Sequence, residues 1–275
     1  MTPADLVRLL DWFNAFCASY TENATDEDRR NYLLKEVHTL RVREAAVAIA
    51  TELGCGAADL LLAETVGLLH DVGRFPQYRE YRTFKDADSV NHAARSVRVI
   101  IEDKILANLA EEERRLIIKS VALHNVYQIP EHLSPRESFF LRLIRDADKL
   151  DIWRVFLEYY DLPEEERASA VGLGFSDTPE CSSYILDAIN EGEMINLINV
   201  KTLNDFKLLQ LSWIFDLNFG PTRRLFRERG YLHAFAAALP SDKRVQNTLT
   251  NLESYLDRSI NADRTVVSGA PAWIR

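Results

Sequence analysis

An imidazole and a carboxylate that are adjacent in the chain mark the region with the clearest chemistry. His70 and Asp71 follow the apolar residues 66–69 and come shortly before Gly73. Each of these polar side chains would cost roughly 2–7 kcal/mol if it were buried at the end of an apolar helix without a partner. A divalent cation can satisfy both, because nitrogen and oxygen donors together suit first-row metals. We therefore predict that the pair contributes to a metal site.

Further candidate ligands lie on other predicted helices. Three of the remaining histidines stand within helical patterns beside small or polar residues: His38, His92 and His124. A later apolar helix is interrupted by three carboxylates: Asp146, Asp148 and Asp151. Positions 148 and 151 share a helical face that position 146 does not, because successive helical residues rotate by about 100°. The candidates therefore follow the order His, His-Asp, His, His, Asp.

This order resembles the signature of the HD-domain superfamily of metal-dependent phosphohydrolases, which is named for the adjacent His-Asp pair. The resemblance covers roughly residues 30–155 and is carried by the segments HDVGRF, DSVNHA, LHN and RDADKLDI. It implies a metal held by His38, His70, Asp71 and Asp148. Asp148 is preferred to Asp146 because family members place the closing carboxylate at this point of an ADKLD-like motif.

The two intervening histidines determine how many metals are expected. His92 and His124 resemble the extra histidines of the subgroup that holds two metals, which implies that Asp71 bridges two cations. Alternatively, these histidines bind the substrate phosphate beside a single metal, or they only hydrogen-bond their neighbours. Asp151 is expected to orient a ligand histidine. The metal could be manganese, iron, nickel, zinc or magnesium, and the sequence does not choose among them.

The residues after the pair, 73–88, combine basic and aromatic side chains with few aliphatic ones, so we expect a loop and no core element. Arg74 stands where two-metal relatives often carry a lysine that meets phosphate, and a guanidinium can hold two phosphate oxygens. Further residues of the segment could form a positive rim or stack on a base: Arg79, Arg82, Lys85, Tyr78 and Tyr81. Alternatively, the rim residues belong to a solvated surface loop.

Taken together, these residues imply hydrolysis at phosphorus. One or two cations would lower the pKa of a bound water from ~16 toward ~7. Asp71 and Arg74 would be the catalytic residues, and the substrate would be a nucleotide or another small phosphate ester. The residues NVYQIPEHL after His124 lack the glycine-tyrosine-proline motif of cyclic-dinucleotide phosphodiesterases, which disfavours cyclic di-GMP. The alternatives are a metal-containing regulatory protein with little turnover and a di-iron oxygenase.

Composition limits the partners and the location. The formal net charge of −9 disfavours an extended nucleic-acid surface and an anionic membrane surface. Three cysteines without paired spacing, Cys17, Cys55 and Cys181, suit a reducing cytoplasm. No apolar run approaches the ~20 residues that span a bilayer, and the N-terminus lacks the form of a signal peptide. We therefore expect a soluble cytoplasmic protein.

Helical periodicity along the chain predicts an all-α fold. With 275 residues, 47% of them hydrophobic, the chain can fill a sizeable core. We expect a single domain over residues 1–275, with a metal-binding core at about 27–155, a helical extension at about 156–262 and an irregular tail at 263–275. Predicted helices of the first part cover residues 3–20, 27–53, 57–69, 89–109 and 111–124. Thr25 is the candidate cap of the second of these, and another helix begins after a cap at Ser134.

Overall fold

The computed structural model describes residues 1–171 and 174–266. In these residues, twelve α-helices are joined by loops and short 3-10 turns, and no β-strand occurs beyond an isolated bridge between Ser176 and Thr202. The predicted all-α fold is thereby confirmed. None of the described helices is both long and apolar enough to cross a bilayer. Two compact units are distinguished, 1–171 and 174–266, and a single domain that includes both stays a prediction.

Seven helices make up the first unit. They are α1 (Pro3–Thr21), α2 (Asp26–Glu52), α3 (Ala57–Leu69), α4 (Arg74–Tyr81), α5 (His92–Glu102), α6 (Glu111–Leu123) and α7 (Pro135–Asp161). The two longest helices, α2 and α7, pack against each other, and α3 packs against both. Large side chains that are fully buried in this unit include Phe13, Ile49, Leu62 and Trp153. The middle of α2 is thus enclosed on two sides.

Polar side chains at the predicted positions cap the two long helices. The Thr25 hydroxyl accepts a hydrogen bond from the backbone N–H of Asp28 at the start of α2. Ser134 and Glu137 form a capping box at the start of α7, where Pro135 occupies the first helical position. These caps satisfy N–H groups that a helix start leaves without intrahelical partners. They fix where both long helices begin.

The prediction that residues 73–88 contain no core element is wrong, because α4 forms at Arg74–Tyr81. Phe75 and Tyr78, three residues apart on one face, are buried. The Phe75 ring lies edge-on to Phe16 and parallel to Tyr32, with ring centroids 5.4 and 6.0 Å apart. Aromatic side chains bury as much apolar area as aliphatic ones, so this helix joins the core without aliphatic residues. The helix α5 is also shorter than predicted and ends at Glu102.

Five helices make up the second unit. They are α8 (Ser183–Asn190), α9 (Leu203–Ser212), α10 (Gly220–Glu228), α11 (Tyr231–Ala237) and α12 (Lys243–Val266). The long α12 packs against α8, α10 and α11, and its buried face includes Val245, Leu252 and Ile260. Because α12 continues to Val266, the irregular tail predicted at 263–275 does not begin where expected. The rest of that tail lies outside the described residues.

A close backbone approach joins the start of α4 to α5. The N–H of Gly73 donates a hydrogen bond to the buried Ser96 hydroxyl over 2.8 Å. A Cβ atom at position 73 would lie 2.3 Å from the Ser96 nitrogen and 2.5 Å from the His92 carbonyl oxygen. Both contacts are with backbone atoms, which cannot rotate away. Only glycine therefore allows this separation between α4 and α5.

We expect Gly73→Ala to lower the free energy of unfolding by about 1–3 kcal/mol, because the added methyl group overpacks the contact between α4 and α5. It should also displace His92, the first residue of α5. Gly56→Ala is the matched control, because no atom lies within 4 Å of a Cβ there and only a helix-cap preference changes. Urea unfolding of both variants tests this; equal destabilisation would contradict it.

Candidate metal centre

Five helices of the first unit bring the predicted ligands together. His38 lies in the middle of α2, His92 begins α5, and Asp148 lies within α7. His70 and Asp71 directly follow α3, and His124 directly follows α6. The four histidines and Asp71 are buried, with at most 7% of any residue exposed, whereas Asp148 is half-buried. Residues that are far apart in the chain thus form one polar cluster inside an apolar bundle.

One oxygen of the Asp71 carboxylate faces a first pair of histidines. Asp71 Oδ2 lies 3.7 Å from His38 Nε2 and 3.9 Å from His70 Nε2. Asp148 Oδ1 lies 3.1 and 3.8 Å from the same two nitrogens. His38, His70 and Asp71 are close enough to donate to one metal ion. The position of Asp148 makes it the fourth candidate ligand.

The other oxygen of the same carboxylate faces a second pair. Asp71 Oδ1 lies 3.6 Å from His92 Nε2 and 4.0 Å from His124 Nε2. The two Nε2 atoms are 3.0 Å apart. Asp71, His92 and His124 thus form a second group that could hold a metal ion. The Asp71 carboxylate is common to both groups.

Hydrogen bonds at Nδ1 set the orientation of the four imidazole rings, in which Nε2 faces Asp71. Every Nδ1 lies 2.7–2.8 Å from an oxygen acceptor: Asp151 Oδ2 for His38, the Gly67 carbonyl for His70, Asp86 Oδ2 for His92 and the Val121 carbonyl for His124. These contacts place the proton of a neutral ring on Nδ1 and leave a lone pair on Nε2. The Asp151 contact is the one that the orienting role predicted for that residue requires.

The Nε2 lone pairs fit a cation. The Nε2 atoms of His38 and His70 are buried and have no hydrogen-bond partner among the described residues. The Nε2 atoms of His92 and His124 face each other, although neither carries a proton when its ring is neutral. Unpaired buried acceptors are costly, and metal ions held by the two groups would satisfy all four. The residues present therefore match the donors that a divalent metal requires.

The electrostatic surroundings keep most of these rings neutral. Burial lowers the pKa of His92 and His124 to about 4, and it also lowers the pKa of His70. Burial and the Lys35 charge lower the pKa of His38, but the contacts of its ring with the Asp148 and Asp151 carboxylates outweigh them and raise it above its usual value. Neutral imidazoles are the form that binds metals. Three of the four rings are thus ready to do so at neutral pH without losing a proton.

Asp71 is ionised in these surroundings. Burial alone would raise the pKa of Asp71, but the charges of Lys35 and Arg74 hold it well below its usual value. Lys35 Nζ lies 2.8 Å from Asp71 Oδ2, and Arg74 Nε lies 3.3 Å from Oδ1. Each carboxylate oxygen therefore has a cationic neighbour as well as a histidine pair.

Two further residues, Lys35 and Asp86, belong to the site and are not among those expected from the sequence. Lys35 precedes His38 by three residues on α2, a spacing that places both on one helical face. Asp86 accepts hydrogen bonds from His92 Nδ1 over 2.7 Å and from Arg74 Nη1 over 3.1 Å. Burial opposes ionisation of Asp86, but the His92 contact lowers its pKa to about 2. No periodic pattern marks Asp86, because it lies in the connection between α4 and α5.

Arg74 is only partly available to a ligand. Its Nη1 donates to Gln77 Oε1, the Phe84 carbonyl and Asp86 Oδ1, and its Nε contacts Asp71. Its Nη2 has no hydrogen bond among the described residues. Only this one nitrogen is left for a ligand, so the guanidinium is not placed to hold two phosphate oxygens with two nitrogens, as expected from the sequence.

Most of the other basic and aromatic residues after the His-Asp pair have structural partners. The Arg79 guanidinium lies 4.7 Å from the Tyr20 ring centroid, and Lys85 pairs with Asp88 over 3.0 Å. Arg82 pairs with Asp28 and lies over the Tyr78 ring. Tyr78 is buried, and its hydroxyl donates to Asp28, so the prediction that it could stack on a base is wrong. Tyr81 is exposed.

The pKa values of His92 and His124 predict how stability depends on pH. In the metal-free protein, the free energy of unfolding should fall as the pH decreases from about 6.5 to about 4, because only the unfolded chain binds protons at these histidines there. Below about pH 4 their contribution should stop changing. A doubly substituted variant with His92→Gln and His124→Gln should show a shallower fall in urea unfolding, whereas the exposed His132→Gln should match the wild type. If the free energy of unfolding fell equally with decreasing pH in all three proteins, His92 and His124 would not be buried as neutral rings.

Comparison with known proteins identifies the part of the chain that holds this site. No curated protein and no solved structure matches the chain significantly. Residues 36–153 match the family model of the HD domain. The matched residues extend from α2 to α7 and include all six predicted metal ligands. This segment therefore belongs to the HD-domain superfamily, a superfamily of metal-dependent phosphohydrolases.

Proposed function

We propose that this protein hydrolyses small phosphate esters by means of two divalent cations bridged by Asp71. The observation that carries the proposal is the division of the Asp71 carboxylate, whose Oδ2 faces His38 and His70 while its Oδ1 faces His92 and His124. A carboxylate that serves two histidine pairs is suited to bridge two metal ions. Paired metals are typical of enzymes that displace groups at phosphorus.

Each side of Asp71 would hold one cation. The first cation would be held by His38, His70, Asp71 and Asp148, and the second by Asp71, His92 and His124. When bound, such cations lower the pKa of a coordinated water and neutralise phosphoryl oxygens. Asp151 and Asp86 would fix the rings of His38 and His92 in the required orientation.

The substrate side of the site is proposed from the residues around Asp71. Arg74 Nη2 would donate to one phosphoryl oxygen, while its Nε keeps the guanidinium against Asp71. The half-buried Phe84 ring lies near the cationic groups of Lys35 and Arg74, 5.1 and 6.0 Å from its centroid. An organic group attached to the phosphate would meet this ring. A nucleotide or another small phosphorylated molecule suits such surroundings.

We also propose a cytoplasmic location, on the basis of the three cysteines. Cys17, Cys55 and Cys181 are free thiols in the described structure. Burial raises the pKa of the Cys55 and Cys181 thiols to about 11, which keeps them protonated and unreactive at neutral pH. Free thiols of this kind are typical of proteins in reducing compartments.

Metal-stimulated hydrolysis of a panel of generic phosphate esters and nucleotides tests the function. We expect Mn²⁺ to stimulate phosphate release and Asp71→Asn to reduce kcat/KM by more than about 100-fold, because loss of groups that merely orient a ligand already costs about 10–100-fold. Asp88→Asn is the control, since Asp88 is an exposed carboxylate of the same region. No release from any ester with any of the candidate metals would refute the proposal and favour a regulatory role.

Metal content per chain tests the two-cation arrangement. Elemental mass spectrometry should find two metals in the wild type, about one in His92→Ala and about one in Asp148→Ala, because each substitution removes a ligand from one side of Asp71. Asp88→Ala should retain both. A single metal in the wild type that is lost in Asp148→Ala but kept in His92→Ala would show a mononuclear site.

A further inference from the structure

The side chain of a lysine lies against the Asp71 oxygen that a metal ion would need. Lys35 lies on α2, one turn before His38, and only 13% of its side chain is exposed. Its Nζ lies 2.8 Å from Asp71 Oδ2, the oxygen that faces His38 and His70. Its other polar or ring contact among the described residues is the Phe84 ring, 5.1 Å away. The ammonium group therefore depends on the Asp71 carboxylate for its partner.

The Lys35 contact with Asp71 is incompatible with full use of that carboxylate as a metal ligand. An ammonium group and a divalent cation would compete for the same oxygen, and at short range they repel each other. A buried ammonium without an anionic partner is costly, so Lys35 needs a new anion once Asp71 is neutralised by another cation. The four-carbon stem of lysine is flexible enough to let the ammonium reach a nearby group.

We propose that Lys35 binds a phosphoryl oxygen of the substrate and that Asp71 holds its ammonium group only in the metal-free chain. This inference rests on the proposed function for the class of ligand, which is a phosphate ester. Lys35 lies beside Oδ2 and Arg74 beside Oδ1, so the two cationic side chains flank the site where a phosphate would lie. A dianionic phosphate is the ligand that both can share. The site would favour dianionic monoesters over neutral or singly charged esters.

Two binding measurements with opposite expected directions test this role. Titration of Mn²⁺ into the metal-free protein should show that Lys35→Met binds the metal at least as tightly as the wild type, because a competitor for Asp71 has been removed. Titration of inorganic phosphate into the Mn²⁺-loaded proteins should show affinity reduced by about 10- to 100-fold in Lys35→Met, as expected for one charge-assisted hydrogen bond. A residue with a purely structural role would not separate the two affinities.

Two further variants serve as controls. Lys119 lies on α6 and pairs with Glu137 over 2.7 Å. Lys119→Met therefore also removes one lysine ion pair, as Lys35→Met does, but outside the site. It should leave phosphate affinity unchanged. Lys35→Arg keeps the charge and should retain phosphate affinity within a few fold, even if Lys35→Met folds poorly. Unchanged phosphate affinity in Lys35→Met, or Mn²⁺ affinity weakened more than about tenfold, would overturn the proposal.

A measurement on the wild type avoids any effect of substitution on folding. Acylation of Lys35 by an amine-reactive reagent, followed by mass spectrometry, should be slow in the metal-free protein because Asp71 holds the ammonium. Mn²⁺ should increase the rate at Lys35, and inorganic phosphate should then reduce it again. The rate at Lys119 should not respond. Failure of Mn²⁺ to increase the rate, or of phosphate to protect, would overturn the proposal.

These outcomes separate the inference from the proposed function. Binding of phosphate through Lys35 without turnover of any ester would refute the proposed function alone. Hydrolysis with a Lys35→Met variant that keeps its phosphate affinity would refute the inference alone. A wild-type protein that binds no Mn²⁺ or other candidate metal would overturn both.

Discussion

The burial of the Asp71 carboxylate is the constraint on which the first unit depends. An ionised carboxylate that is 3% exposed requires compensating positive charge, and Lys35 and Arg74 supply it. Four imidazoles turn their Nε2 atoms toward the same carboxylate. The cationic groups keep the pKa of Asp71 low although burial would raise it. The helix bundle thus maintains a negative charge at its centre, where a metal would bind.

Contacts at helix ends orient two of the four histidine rings. His70 and His124 each lie just after a helix, and each directs Nδ1 at the carbonyl three residues earlier, over 2.8 Å. Those carbonyls belong to the last turn, where backbone acceptors lack intrahelical donors. One contact thus satisfies a helix terminus and aims Nε2 at Asp71. This geometry explains why both histidines stand directly after the last turn of a helix.

The other two histidine rings are oriented by contacts with side chains from other segments of the chain. His38 is held by Asp151 of α7, and His92 is held by Asp86 from the connection that precedes α5. The close approach at Gly73 brings the first turn of α5 next to the His-Asp pair. The aromatic cluster around Phe75 anchors α4, which carries Arg74 at its start. Rigid packing and polar contacts therefore act together on the same few side chains.

The sequence by itself determined the all-α fold, the caps of the two long helices and the six candidate metal ligands, because helical periodicity, capping chemistry and the order of His and Asp can be read along the chain. It did not determine α4, since the burial of Phe75 depends on rings from α1 and α2. Only the tertiary structure decided which Asp71 oxygen faces which histidine pair, and that Lys35 and Asp86 join the site. Such contacts depend on how separate helices pack, and a linear pattern does not encode the distances between atoms far apart in the chain.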